Sequence, residues 1–336
     1  MHTGKAKPPA VDPFKQAVIN TRIYSDGQTA TSKQSFGSSI AAMLSLAFYT
    51  GWPNTLLLLF CLVIFTWNKI ALAILVALFS TLLLPAGPLL WPAFNQLAIF
   101  KTWREYFRFS YLFEEILDPK VNYIFAELPH GCFPLGPLVA GTECVHIFPG
   151  FNIFSLAASS VFSVPLWRHF MTWIGSVPAT PGNFKKLLKS GSVAVIVGGI
   201  AEMYMLHPKK EMVVLKDRKG FVRIAVEMGV PIVPVFHFGN SQLLSFFPQS
   251  LAKTARKLRM ALGVHMGRFG LPLPRRVPIF MVCGKSVLTG PKMSKEDPGF
   301  AAKVDEVHAA VMANLQGMYD RHKGTYGWAD RPLEIV

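Results

Sequence analysis

No charged side chain occurs from Gln34 to Asn68, and after Lys69 the apolar character resumes from Ile70 to Trp91. Each block exceeds the roughly 20 residues that a membrane-spanning helix needs. Only Trp67-Asn68-Lys69 separates them, so the pattern predicts two antiparallel helices, a transmembrane hairpin over residues 39–91, with Gly51-Trp52-Pro53-Asn54 interrupting the first. Residues 1–38 are polar, carry Pro8, Pro9 and Pro13 and show no sustained hydrophobic period, which predicts a flexible arm. Between Phe94 and Leu117 the residues Phe100, Trp103, Tyr106, Phe107, Tyr111 and Phe113 alternate with bases. That mixture predicts an interfacial helix over 92–118, lying among lipid headgroups.

Past Val121 the pattern changes to short β-branched runs alternating with helical periods. Strands are predicted at Asn122–Ala126, Ser192–Val197, Met212–Lys216, Pro231–Phe238 and Val277–Cys283. Helices are predicted at Val164–Ile174, Asn183–Lys189, Gly220–Met228 and Phe300–Tyr319; in the last, Phe300, Val304, Val307, Val311, Leu315 and Met318 recur at spacings of three and four and define one buried face. The alternation predicts an α/β domain over 119–336, a mixed sheet with flanking helices.

Composition agrees with a lipid contact. Hydrophobic residues are 51% of the chain and charged residues 16%, too apolar for an ordinary soluble surface. The net charge of +15 favours an anionic partner: anionic lipid or a polyphosphate co-substrate. Nucleic acid is disfavoured, since the bases are scattered and neither RNP-like strings nor zinc-finger spacings occur. Bases flank the hairpin on both sides, Lys5, Lys7, Lys15, Arg22 and Lys33 before it and Lys101, Arg104 and Arg108 after it, which places both flanks in the cytoplasm. Cys61, Cys132, Cys144 and Cys283 lie far apart, so neither a disulfide framework nor a thiolate metal site is indicated.

Three elements could carry chemistry. In YIFAELPHGCFPLGP, Tyr123–Pro137, His130 follows a predicted strand and sits between Pro129 and Gly131 on a stiff turn, with the Gly131 N–H beside it. A base near a reacting hydroxyl and a donor for a developing oxyanion are what acyl transfer needs. Next, VGGIAE, Val197–Glu202, ends the most apolar strand; Gly198 and Gly199 let backbone approach a ligand, and Glu202 points toward the cleft at the strand ends. Finally, Arg218, Lys219 and Arg223 surround the helix start at Gly220-Phe221, where the dipole and free N–H groups favour phosphate. Of the two acids that could serve His130, Glu202 is favoured and Glu127 is the alternative, because successive strand side chains alternate faces. A GxSxG elbow and an HExxH helix are both missing, and Cys132 reads as a small buried thiol.

With these elements in order behind a hairpin, residues 94–330 resemble the type 2 diacylglycerol acyltransferase family, which also contains monoacylglycerol and wax-alcohol acyltransferases. YIFAELPHG followed by PLG matches its first block, with His130 at the catalytic histidine; Gly198, Gly199 and Glu202 match its second; Arg218, Gly220, Phe221, Arg223, Ala225, Gly229, Val233, Pro234, Phe238 and Gly239 match its third. Leu128 stands where the animal form has a further histidine, and Leu135 where related glycerolipid acyltransferases have aspartate. The resemblance implies a glycerolipid acyltransferase-like core that moves a fatty acyl group from acyl-CoA to a neutral acylglycerol, most simply diacylglycerol, with a monoacylglycerol or long-chain alcohol as the other acceptors. It implies no metal or redox cofactor, membrane lipid as partner, and residence in the endoplasmic reticulum membrane or at lipid-droplet surfaces. A non-catalytic lipid-binding protein would need the hairpin but not the histidine, glycine and glutamate constellation.

Overall fold

The computed structural model describes residues 19–87, 89–258 and 262–336. Its centre is an eight-stranded mixed sheet in the order β1–β2–β11–β8–β3–β6–β4–β5. These strands are β1 (Ile23–Tyr24), β2 (Ser110–Phe113), β3 (Ile124–Leu128), β4 (Ile153–Ala157), β5 (Ser176–Pro178), β6 (Ser192–Ile196), β8 (Ile232–Phe238) and β11 (Phe280–Cys283). β8, β3, β6, β4 and β5 are mutually parallel; β11 runs antiparallel to β8. Strands buried on both faces are near-continuously apolar rather than apolar at every second position, and IVPVFHF of β8, interrupted only by His237, is buried throughout. Register pairs Glu127 with Ile196 on one side and Leu128 with Phe236 on the other, so three carboxyl ends leave the sheet together.

Helices cover the two faces. We use α1 (Phe36–Thr66), α2 (Lys69–Ser80), α3 (Ala98–Tyr106), α4 (Leu135–Thr142), α5 (Ile200–Met203), α6 (Gly220–Met228) and α7 (Phe300–Tyr326). α6 and α7 pack on one face, where Ile124, Ala126 and Leu128 meet Phe221, Val311 and Leu315. All six periodic positions of α7 are buried, as their spacing requires. The other face carries Phe125, Val233, Val235 and Met281 against α3, α4 and the first half of α1.

The expected strand Met212–Lys216 is instead β7 (Glu211–Val213), outside the main sheet and paired with β12 (Leu333–Ile335). The N-terminal arm is a partial correction. Residues 1–18 lie outside the described residues, but β1 pairs with β2 and Asp26 forms a bidentate pair with the buried Arg104, so the chain from Ile19 onward is tied to the body. The single interfacial helix expected over 92–118 is also corrected. Only α3 is a helix of any length there, and Phe100, Trp103, Tyr106, Phe107 and Phe109 fill the core. Clustered aromatics look alike in sequence whether they meet lipid or protein, and here the sheet face needed covering.

The hairpin forms with its break at the expected residues: Trp67 adopts φ 51° and the Asn68 side chain caps the Ala71 N–H. α1 is long and apolar enough to cross a membrane. It runs unbroken through Pro53, and Gly51-Trp52-Pro53-Asn54 marks a contact rather than an interruption: Gly51 rests on Pro272, the Thr50 hydroxyl donates to the Pro272 carbonyl, and Asn54 holds β10 (Val264–Met266). α1 therefore has two halves. Ala42, Leu46, Tyr49 and Trp52 are buried against the body, whereas Leu57, Leu58, Phe60, Ile64 and Phe65 are exposed. The return helix is shorter than its apolar block. α2 has 12 residues, about 18 Å, and ends in a 3₁₀ turn at Thr81–Leu83, because Leu84 before Pro85 must be extended (ψ 149°).

Candidate active site

β3 delivers the chain to Pro129 and His130, β6 to Gly198 and Gly199, and β8 to Gly239 and Asn240. These loops are tied by side chain to backbone. Asn240, 1% exposed, donates through Nδ2 to the carbonyls of Pro129 and His130, both at 3.0 Å, and accepts the Gly136 N–H on Oδ1 at 2.8 Å. Its amide thus spans the whole turn from β3 into α4.

Glu202 completes the clamp. Its Oε2 accepts the backbone N–H of His130 at 2.5 Å and its Oε1 accepts the N–H of Val214 at 2.8 Å. Burial pushes the carboxyl up to about 7, against the amide donors of Val214, His130 and Gly131, which favour the ionised form; nearby Glu211 adds to the upward shift. The glycine pair before it now has a specific reason. A Cβ on Gly198 would lie 1.9 Å from Glu202 Oε1, so the carboxylate occupies the space a side chain would fill. Gly199 has φ 64° and ψ −157°, a region open essentially to glycine alone, and this turn folds α5 back so that Glu202 reaches the His130 loop. The room expected for a ligand at Gly198 is filled by the protein's own acid.

The imidazole of His130 is not turned toward either acid. Nδ1 lies 2.9 Å from the carbonyl of Gly131. A carbonyl oxygen only accepts, so Nδ1 carries the proton and Nε2 keeps its lone pair. Among the described residues, Nε2 has no hydrogen-bond partner. Burial holds the pKa of the ring below its ordinary value, with the Gly131 carbonyl opposing. A neutral base with one free nitrogen is therefore presented at the carboxyl end of the sheet. Gly131 has φ 60°, a backbone conformation that favours glycine, directly after the histidine. A narrow cleft lined by Pro129, Gly131, Glu202, Met205, Leu206 and Ser241 opens beside the clamp.

Glu127 points elsewhere. It projects onto the face of α4, with its Oε2 3.9 Å from Nε2 of the fully buried His237. Burial raises Glu127 to about 8 and lowers His237 to about 3, so both are neutral at pH 7. Cys132 is buried too, and burial drives its thiol far above the range of a nucleophile.

The basic group is not brought to the histidine. Arg218 and Arg223 are exposed, and Lys219 forms an ion pair with Asp305 of α7 at 2.8 Å. They do stand at the start of α6, at Gly220 and the buried Phe221, and Arg218 lies four residues past the Val214 amide that binds Glu202. Asn240 was not among the sequence-level candidates; its only signal is an amide directly after Gly239 at the end of the most buried strand.

A sheet whose parallel strand ends hold a neutral histidine in a glutamate- and asparagine-clamped loop defines an acyltransferase when set beside the following likenesses. The family model described as diacylglycerol acyltransferase matches residues 58–336, and the chain belongs to that family. It is 31% identical to diacylglycerol O-acyltransferase 2-like protein 6 of Bos taurus, over 71% of this chain and 77% of that one. It is likewise 31% identical to diacylglycerol O-acyltransferase 2A of Umbelopsis ramanniana, over 74% of each chain, and to 2-acylglycerol O-acyltransferase 1 of Bos taurus, over 68% and 74%. Among solved structures it is similar to the 1-acyl-sn-glycerophosphate acyltransferase PlsC of Thermotoga maritima, with TM-score 0.39 and 14% identity over 82% of this chain and 96% of that one, a likeness too distant to bear on the chemistry.

Proposed function

We propose that this acyltransferase moves a fatty acyl group from acyl-CoA directly to diacylglycerol, forming triacylglycerol, with His130 as general base. The observation that carries the reading is the free Nε2 of His130, left as an acceptor by the bond between Nδ1 and the Gly131 carbonyl. Nε2 takes the hydroxyl proton of the acceptor as its oxygen attacks the thioester carbonyl carbon. The carbon–sulfur bond then breaks, and the departing thiolate takes the proton from the imidazolium to give free CoA. A hydroxyl, with a proton hardly more acidic than that of water, needs such a base in the transition state.

Direct transfer is favoured because the cysteine nearest the histidine, Cys132, is buried and protonated. Glu202 and Asn240 act as positioning residues, holding the loop rather than the ring. Arg218 and Arg223, exposed at the start of α6, are the proposed contacts for CoA phosphates; Lys219 contributes less, since Asp305 already pairs with it. The thioester supplies its own leaving group, so the proposed reaction uses no metal or redox cofactor. The exposed apolar half of α1 together with α2 would anchor the enzyme, with the endoplasmic reticulum or lipid-droplet surface as the proposed site and the α/β domain on the cytosolic side. Membranes bearing the full chain, given labelled acyl-CoA and in turn diacylglycerol, monoacylglycerol and a long-chain alcohol, test the acceptor. Triacylglycerol should dominate; a predominance of wax ester would overturn the acceptor assignment.

A further inference from the structure

A second imidazole stands behind the aromatic residues that follow the His130 loop. His265 on β10 is 5% exposed, and among the described residues its Nδ1 has no hydrogen-bond partner. Its ring packs against Phe133 at 5.7 Å and Phe246 at 5.1 Å between centroids. Those two rings join it to both halves of the clamp: Phe133 lies three residues past His130, and Phe246 packs at 5.1 Å on Tyr204, two residues past Glu202. Burial lowers the pKa of His265, and His130 adds to that direction.

The other side of His265 faces the membrane helix. The Asn54 side chain of α1 donates to the His265 carbonyl at 3.2 Å and accepts its backbone N–H at 3.4 Å. Asn54 thus fixes the strand but leaves the ring unsatisfied. β10 pairs antiparallel with β9 (Ser245–Phe247), and Phe247 of that ribbon and Phe269 and Leu271 beyond it are exposed apolar side chains. A phenylalanine would suit a purely structural position in this wall, whereas an imidazole with an unpartnered buried nitrogen has a hydrogen bond to offer a polar guest. Burial keeps the ring neutral at pH 7, so it offers one donor and one acceptor but no charge. Such a group matches a hydroxyl or ester oxygen and not a phosphate.

We propose that His265 binds the acceptor: its imidazole hydrogen-bonds the glycerol oxygens of a neutral acylglycerol arriving along α1 from the bilayer and holds the free hydroxyl toward Nε2 of His130. The inference rests on the acylglycerol reading above. Its test uses full-length enzyme in membranes, with oleoyl-CoA and dioleoylglycerol each varied at saturating levels of the other. His265→Leu should raise the KM for dioleoylglycerol about 3–10-fold, the range of one neutral hydrogen bond, and leave the KM for oleoyl-CoA unchanged. His265→Gln, which keeps a donor and an acceptor, should recover most of that loss, and His265→Phe, which fills the aromatic wall, serves where leucine impairs accumulation. An unchanged acceptor KM, an equal rise in both constants, or a glutamine variant no better than leucine would overturn the proposal. If the wild type esterified only long-chain alcohols, the acylglycerol reading itself would fail, a result that is separate because it needs no variant.

Discussion

The Glu202 carboxylate binds the backbone N–H of His130 at 2.5 Å, while the imidazole of the same residue turns away to the carbonyl of Gly131. The acid therefore acts through the loop. It sets where the ring stands without sharing the ring's proton, and the tautomer is selected by the adjacent peptide.

Loss of the proposed base should lower turnover steeply without changing how much protein is recovered in the membrane fraction, because the apolar helices and the His130 loop are separate parts of the chain. His130→Ala is expected to lower kcat by about 10²–10⁴-fold, measured as triacylglycerol formed per enzyme in the membrane fraction. Activity within tenfold of wild type would exclude His130 as the base.

Glu202→Gln leaves one acceptor for two amide donors, and the side-chain amide then faces the N–H of either His130 or Val214. Orphaning a buried donor costs about 1–3 kcal/mol, expected here as a fall in kcat with smaller changes in both KM values. Glu127→Gln replaces one neutral group by another near His237. It should alter turnover by about threefold or less, under the effect of one hydrogen bond. The reverse order of severity would make Glu127 the working acid.

Gly198→Ala places a methyl where the Glu202 carboxylate lies, 1.9 Å from Oε1. The acid must leave its position, so this small substitution should mimic Glu202→Gln in kcat. If Gly198→Ala is fully active, Glu202 does not need to occupy that space.

The pH dependence has a definite sign. Burial lowers the pKa of His130, and only its neutral form is a base, so kcat/KM should fall on acidification with an inflection below about 6.5, the value of a free imidazole. Glu202, raised to about 7, should add a second inflection that disappears in Glu202→Gln. An acid limb that stays above pH 7 in that variant would rule out His130 as its source.

Charge reversal probes the α6 start. Arg218→Glu or Arg223→Glu should raise the KM for acyl-CoA more than that for the acceptor, and Lys219→Glu should additionally destabilise the fold by setting a like charge against Asp305. Equal effects of Arg218→Glu on both constants would place the phosphates elsewhere.

The chain's own pattern determined the elements: the hairpin break at Trp67-Asn68-Lys69, the buried periodicity of α7, the strand β8, apolar at every position but His237, and the residues His130, Gly198, Gly199 and Glu202 at strand ends. These are local properties, set by period, length and turn chemistry within one segment. Tertiary structure decided what those residues face. It turned Glu202 to a backbone amide and Glu127 to His237, filled the Gly198 space with a carboxylate, and sent the aromatics of α3 into the core rather than into lipid. It also recruited Asn240 and His265, whose partners lie 104 to 211 residues away in sequence. No periodicity links residues so far apart; only the register of β3, β6 and β8 and the packing of α1 on β10 bring them together.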